Sequence, residues 1–207
     1  MAKQLILYTN PMSRGRIARW MLEEAGAAYE VVLLDYASTM KSEPYLSVNP
    51  MGKVPAIRHG DKVITECAAI CAYLADAFPQ AGLAPALGDR ADYYRWLFFA
   101  AGPVEQAVTN RAAQFTPSAE LGRMFGYGNY DLTVDVLDKH LQGRDYVAGD
   151  SFTAADVYVG SQVMWGTQFG TLPKRDSFMA YADRLAARPA NQTASAKDDA
   201  ATPAAQV

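Results

Sequence analysis

Val54, Glu66 and Cys67 lie in a stretch, Asn49 to Leu74, whose residue types could hold the backbone and one charged end of a short peptide. Asn49-Pro50-Met51-Gly52 is a turn signal. Pro55 pushes Val54 before it into extended geometry. Ala56-Ile57-Arg58-His59 and Lys62-Val63-Ile64 read as short strands around Gly60-Asp61, a loop with hairpin chemistry. Thr65-Glu66 then opens a helix whose apolar residues Ile70, Tyr73, Leu74, Ala77 and Phe78 recur at helical spacing. A proline-interrupted strand offers free backbone groups at Val54. The helix start offers free N–H donors at Cys67 and Ala68. Together they suit an extended peptide that adds as a strand and ends in a carboxylate.

The elements that must position these groups alternate in the first third of the chain. Gln4 to Tyr8 reads as an apolar strand and Thr9 to Ser13 as a loop. From Arg14, Ile17, Ala18, Met21, Leu22 and Ala25 fall on one helical face, which Gly26 stops. Tyr29 to Leu34 is a second strand, so a βαβ unit with parallel pairing is expected, followed by ββα. Pro79 to Gly88, PQAGLAPALG, reads as a connector. Beyond it the pattern is helical. Asp89 fits an N-cap, Gly102-Pro103 should kink or break the aromatic helix before it, and Thr153 with Asp156 has capping-box spacing. A last helix should stop at Arg188-Pro189. The segment from Ala190 lacks periodicity and is expected to be disordered. The expected organisation is an α/β domain over 1–79, a linker over 80–88, an all-α domain over 89–189 and a tail over 190–207.

The chain has 207 residues, half of them apolar and a fifth charged, the composition of a globular protein. Its net charge of −3 gives no reason to expect nucleic acid or an anionic membrane as partner. Leu5-Ile6-Leu7-Tyr8 is too short for a signal peptide, and the long uncharged run from Val157 to Pro173 is too polar to span a bilayer. Two histidines, His59 and His140, leave no cluster with metal-ligand spacing. Cys67 and Cys71 lie too close together to staple a fold, so a reducing cytoplasm is the expected location.

The stretch from Asn49 resembles the peptide-binding half of the cytosolic glutathione transferases, whose thioredoxin-like domain carries N-P-x-G-x-V-P followed by E-S-x-A-I-x-x-Y-L. Here the second signature is Glu66-Cys67-Ala68-Ala69-Ile70-Cys71-Ala72-Tyr73-Leu74, with cysteine in place of the serine. The segment from Ser13 to Glu24 is similar to a bacterial and fungal subgroup with S-R-x-x-R-x-x-W-x-L-E-E. Gly149 to Asp156 is similar to the family's G-x-x-x-[ST]-x-A-D folding signal, which has no catalytic role.

The resemblance implies a thioredoxin-like domain, a short linker and a helical bundle. It implies an enzyme of detoxification that binds glutathione as co-substrate, needs no metal, and attacks a small hydrophobic electrophile with the glutathione thiolate. It further implies a homodimer formed through Cys67–Phe78 and Tyr93–Phe99, with the electrophile bound between domains. Val54, before a cis Pro55, would pair with the cysteinyl backbone of glutathione. Glu66 would accept from the γ-glutamyl ammonium, and the Cys67 N–H would donate to the neighbouring carboxylate. The Cys67 thiol is a weaker donor than the family's serine hydroxyl. Lys53 is a candidate for the glycyl carboxylate.

A thiol with a pKa near ~8.5 is a poor nucleophile at neutral pH, so a donor must stabilise the sulfur anion, helped by a helix dipole. The resemblance gives that role to Ser13, with Thr9 and Asn10 as alternatives; on residue type alone Ser13 also fits a helix cap. A Thr9-Asn10 contact to sulfur would instead point to a glutathione-dependent disulfide reductase or peroxidase. A non-catalytic interaction module on the same fold is the reading of another class. No cysteine precedes the first helix, which argues against a glutaredoxin-like enzyme with its own redox cysteines.

Overall fold

The computed structural model describes residues 3–202 and forms two compact units, Met1–Leu83 with Arg188–Val207, and Ala84–Ala187. The first unit begins with β1 (Leu5–Thr9), α1 (Gly15–Glu24) and β2 (Glu30–Leu33). β1 and β2 pair in parallel, with Leu7 opposite Val31, as the βαβ pattern requires. Two short 3-10 turns follow, and then β3 (Ala56–His59), β4 (Lys62–Ile64) and α2 (Cys67–Ala77). β3 runs antiparallel to both β1 and β4, and the sheet order is β2-β1-β3-β4. This is the thioredoxin-like arrangement.

β1 is buried along its whole length: α1 packs on it, and Ile6 and Tyr8 enter the cluster formed with the loop residues Met40 and Tyr45. Leu7, Ile57, Ile17, Met21, Ile70 and Leu74 are fully buried, and Tyr8 packs with Met40 and Tyr45. Tyr45 and Met40 come from the segment between β2 and β3, so this irregular stretch is anchored by apolar burial rather than by regular backbone pairing.

The second unit is helical: α3 (Ala91–Phe99), α4 (Glu105–Ala112), α5 (Tyr130–Leu141), α6 (Ala154–Phe169) and α7 (Asp176–Ala186). Between α3 and α4, Ala100–Val104 forms a π-helical turn around Pro103, the widened geometry that accommodates a proline inside a continuous helix. Asp89 is not the cap of α3; it closes a 3-10 turn, and Arg90 takes the N-cap position. The capping box at α6 is complete. Asp156 accepts from the Thr153 N–H (2.8 Å), the Val147 N–H (2.7 Å) and the Tyr181 hydroxyl (2.8 Å), so its buried carboxylate ties α6 to α7 and to the preceding loop.

The tail departs from expectation. Pro189–Ala201 forms α8, which belongs to the first unit and packs along α1; residues 203–207 of the expected tail lie outside the described residues. The physical reason is charge pairing at long range. Arg19 Nε meets Asp198 Oδ1 at 2.8 Å with both side chains buried, Lys197 meets Glu23 at 2.6 Å, and Arg188 forks onto Glu24 at 2.6 and 2.8 Å. Pro189 in the first turn starts the helix where its missing N–H costs nothing. Composition along the tail shows none of these partners.

Candidate functional site

Three backbone ends converge in the first unit. The antiparallel register pairs Tyr8 with Ala56, so the end of β1 lies beside the start of β3, two residues after Val54. The Cys67 thiol donates to the Arg14 carbonyl at 3.7 Å, joining the start of α2 to the start of α1. Val54, the α2 N-terminus and the loop from Asn10 to Ser13 are therefore neighbours in the fold.

The Val54–Pro55 peptide is cis. Val54 is half-buried and takes part in none of the turn, loop or cap hydrogen bonds between backbone groups among the described residues. Its position is fixed from the preceding residue, because the Lys53 carbonyl accepts from the Tyr45 hydroxyl and from Asn49 Nδ2 at 2.8 Å. Gly52 adopts φ +56°, and a Cβ there would lie 2.9 Å from the Met40 carbonyl oxygen, so this turn needs glycine. Lys41 also donates to the Gly52 carbonyl. Lys53 itself is exposed. Lys41 thus adds a second cation to the Gly52-Lys53 corner; no local pattern signals it, because the contact joins a 3-10 turn to a loop eleven residues on.

Glu66 is exposed and sits at φ +63°, an uncommon backbone state for a residue other than glycine. Such residues are held at a cost of order 1–3 kcal/mol and cluster at ligand sites. No side chain caps α2, and among the described residues neither the Cys67 nor the Ala68 N–H donates to a backbone carbonyl. The free donors expected from the sequence are present, at the positive end of an eleven-residue helix. The Cys67 side chain, however, turns inward. It is buried, bonds Arg14 and contacts Cys71, whose thiol is pushed well above the usual range by its hydrogen bond with Cys67 and by burial. The Cys67 group left without a backbone partner among the described residues is its N–H.

The loop before α1 separates the three candidate donors. Thr9 is fully buried at the end of β1, with its hydroxyl a distant 3.5 Å from the Asn10 carbonyl. Asn10 uses both ends of its amide: Nδ2 donates to the Leu34 carbonyl (2.8 Å) and Oδ1 accepts from the Met12 N–H (2.9 Å). Ser13 is partly exposed. Its hydroxyl donates to the Asn10 carbonyl (2.6 Å) and accepts from the Gly15 N–H (2.9 Å) at the first residue of α1. The Asn10 carbonyl also accepts from the Ser13 N–H (3.1 Å). The Ser13 proton can therefore swing to an external anion and leave that carbonyl still paired. Ser13 precedes the N-cap, Arg14, and its hydroxyl holds the first N–H of α1.

Among the described residues no cluster of metal-ligating side chains is present, and no helix is long and apolar enough to cross a membrane.

The chain matches the family models for the glutathione S-transferase N-terminal domain over residues 3–76 and C-terminal domain over residues 130–189. It is 32% identical to glutathione S-transferase GST-4.5 of Xanthomonas campestris over 79% of this chain and 83% of that one. Among solved structures, a sphingomonad glutathione S-transferase complexed with glutathione is 33% identical, with a TM-score of 0.75 over 94% of this chain and 98% of that one. A glutathione transferase from Methylococcus capsulatus is 29% identical, with a TM-score of 0.78 over 95% and 99%. In the subgroup pattern around Ser13, the middle arginine falls on Ile17, which is buried; arginines stand at 16 and 19 instead.

Proposed function

Because this chain belongs to the glutathione S-transferase family, we propose that it conjugates glutathione to small hydrophobic electrophiles, with Ser13 stabilising the reacting thiolate. The observation that carries this reading is the Ser13 hydroxyl, anchored as acceptor by the Gly15 N–H and free to redirect its proton. Glutathione would lie along Val54 as an added strand, with its γ-glutamyl carboxylate on the Cys67 and Ala68 N–H groups and its ammonium on Glu66. Lys53 and Lys41 offer charge to the glycyl carboxylate.

The energetics favour ionisation. A hydrogen bond to a charged group is worth about 1.5–3 kcal/mol, and the neutral bond given up at Asn10 about 0.5–1.5. The surplus, near 1.4 kcal/mol, lowers the thiol pKa by about one unit, from ~8.5 to ~7.5. The thiolate fraction at pH 7 then rises from about 3% to about 24%. The N-terminus of α1 adds a few tenths of a kcal/mol in the same direction. The thiol proton leaves to solvent, the sulfur lone pair forms a C–S bond, and a leaving group such as halide departs with its bonding pair.

A disulfide-reductase reading requires Thr9 or Asn10 to reach the sulfur. Thr9 is buried and the Asn10 amide is engaged at both ends, so no observation favours it. A homodimer in a reducing cytoplasm completes the proposal. Retention on immobilised glutathione, competed by free glutathione and weakened in Glu66→Ala, together with conjugation of an activated aryl halide, tests it. Absence of binding at millimolar glutathione would leave only a non-catalytic module on this fold.

A further inference from the structure

The ion pairs between α1 and α8 do not all do the same thing. Arg19–Asp198, Glu23–Lys197 and Glu24–Arg188 join one helix to the other. Arg16 reaches further. Its Nη2 meets Asp199 Oδ1 at 2.6 Å, while its Nε donates to the Pro11 carbonyl at 2.6 Å. One planar guanidinium therefore connects the C-terminal helix to the loop that carries Ser13.

That loop is held through its carbonyls. Asn10 is served by Ser13, Met12 by the Tyr36 hydroxyl (3.1 Å), and Ser13 by the Arg16 N–H (3.2 Å). Pro11, lacking an N–H of its own, is held by Arg16 Nε. Pro11 lies between Asn10, which takes the Ser13 proton, and Ser13 itself, so a shift there changes where the hydroxyl points. Arginine suits the task because its donors sit in a rigid fork; a lysine ammonium is a single point charge on a flexible stem.

We infer that Arg16, oriented by Asp199 of α8, is a positioning residue for the Ser13 hydroxyl, and that the C-terminal helix thereby acts on turnover. The inference rests on Ser13 as the thiolate donor. Arg16 touches no reacting atom; it fixes the loop from behind.

Two readouts test this. The first is hydrogen exchange at the Ser13 and Gly15 amides, which bond Asn10 O and Ser13 Oγ. The second is steady-state kinetics with glutathione and an activated aryl halide. Arg16→Ala should speed exchange at both amides and lower kcat by about tenfold, the scale of one charge-assisted hydrogen bond, with KM for glutathione within about twofold. Asp199 is largely exposed, so Asp199→Ala should cost only about two- to fivefold. Asp199→Glu should restore wild-type behaviour, and Arg16→Lys should not. The double variant Arg16→Ala/Asp199→Ala should be no worse than Arg16→Ala, because both act along one path. Lys197→Ala breaks a different α1–α8 pair and should leave both readouts unchanged. Unchanged exchange in Arg16→Ala, or additive losses in the double variant, would overturn the inference alone. A wild-type protein that binds no glutathione would overturn the functional reading, and with it the effect on turnover.

Discussion

Replacing Gly15 with alanine would place a methyl carbon 1.8 Å from Thr9 Oγ1 and 2.9 Å from both Ser13 Oγ and Thr9 Cβ. Thr9 is fully buried at the end of β1 and branched at Cβ, so its side chain has no room to turn away. The start of α1 or the Ser13 side must move instead. Two effects compete. Alanine in place of glycine inside a helix gains about 0.5–1 kcal/mol. Overpacking a filled site costs about 1–3 kcal/mol. A separation of only 1.8 Å belongs at the upper end of that range, so clash wins and the net loss should be about 1–2 kcal/mol. For a chain of this length that lowers Tm by about 2–8 °C. The displaced atom at 2.9 Å is the proposed thiolate donor, so kcat should fall more steeply than stability explains. Thermal melts and conjugation kinetics on Gly15→Ala read both effects. Thr9→Ala in the same chain removes the nearest obstacle and should recover much of each loss. A Tm that is unchanged or raised in Gly15→Ala would refute the reasoning, since it would mean that the first turn of α1 is loose against β1.

Cys67→Ser should leave glutathione affinity within about twofold, because the group proposed to meet the ligand is the N–H that serine shares, and a hydroxyl would take over the bond to the Arg14 carbonyl; a tenfold gain in calorimetry would show that the side chain reaches the ligand. Arg19→Ala should cost about 3–5 kcal/mol in denaturant unfolding, since it strands a buried Asp198 carboxylate, and a loss under 1 kcal/mol would mean that α8 contributes little to the first unit. Burial pushes the hydroxyls of Tyr29 and Tyr45 up to about 12, with Glu23 adding to the effect at Tyr29. A folded-state pKa above the unfolded one gives stability that is fully present below pH 10 and is lost as pH rises toward 12. Tm should therefore fall over that window, and Tyr45→Phe should flatten part of the fall.

The hairpin Ala56–His59 and Lys62–Ile64 was legible because glycine at the turn and alternating side chains are local signals. So was the box from Thr153 to Asp156, where both partners lie within one helical turn. The α8 helix was not, because what orders it is the set of carboxylates and arginines on α1, more than 160 residues away in the chain. At the site, residue type pointed to Val54, Glu66 and the Cys67 N–H, which the structure finds at a cis peptide, at a positive φ and at an uncapped helix start. It did not separate Ser13 from Thr9 and Asn10: all three are plausible donors by chemistry, and they differ in burial and in the hydrogen bonds they already make, which depend on the fold. The inward turn of the Cys67 thiol likewise depends on where the Arg14 carbonyl lies, which only packing of α1 against α2 decides.

The central claim is that the Ser13 hydroxyl holds the glutathione sulfur as an anion. Ultraviolet thiolate titration of glutathione bound to the wild-type protein and to Ser13→Ala measures this directly. The apparent pKa should lie about one unit below the ~8.5 of a free thiol in the wild type and return toward ~8.5 in Ser13→Ala, while the dissociation constant at low pH changes little. Identical titrations in the two proteins, with a shift appearing instead in Thr9→Ala or Asn10→Ala, would contradict it.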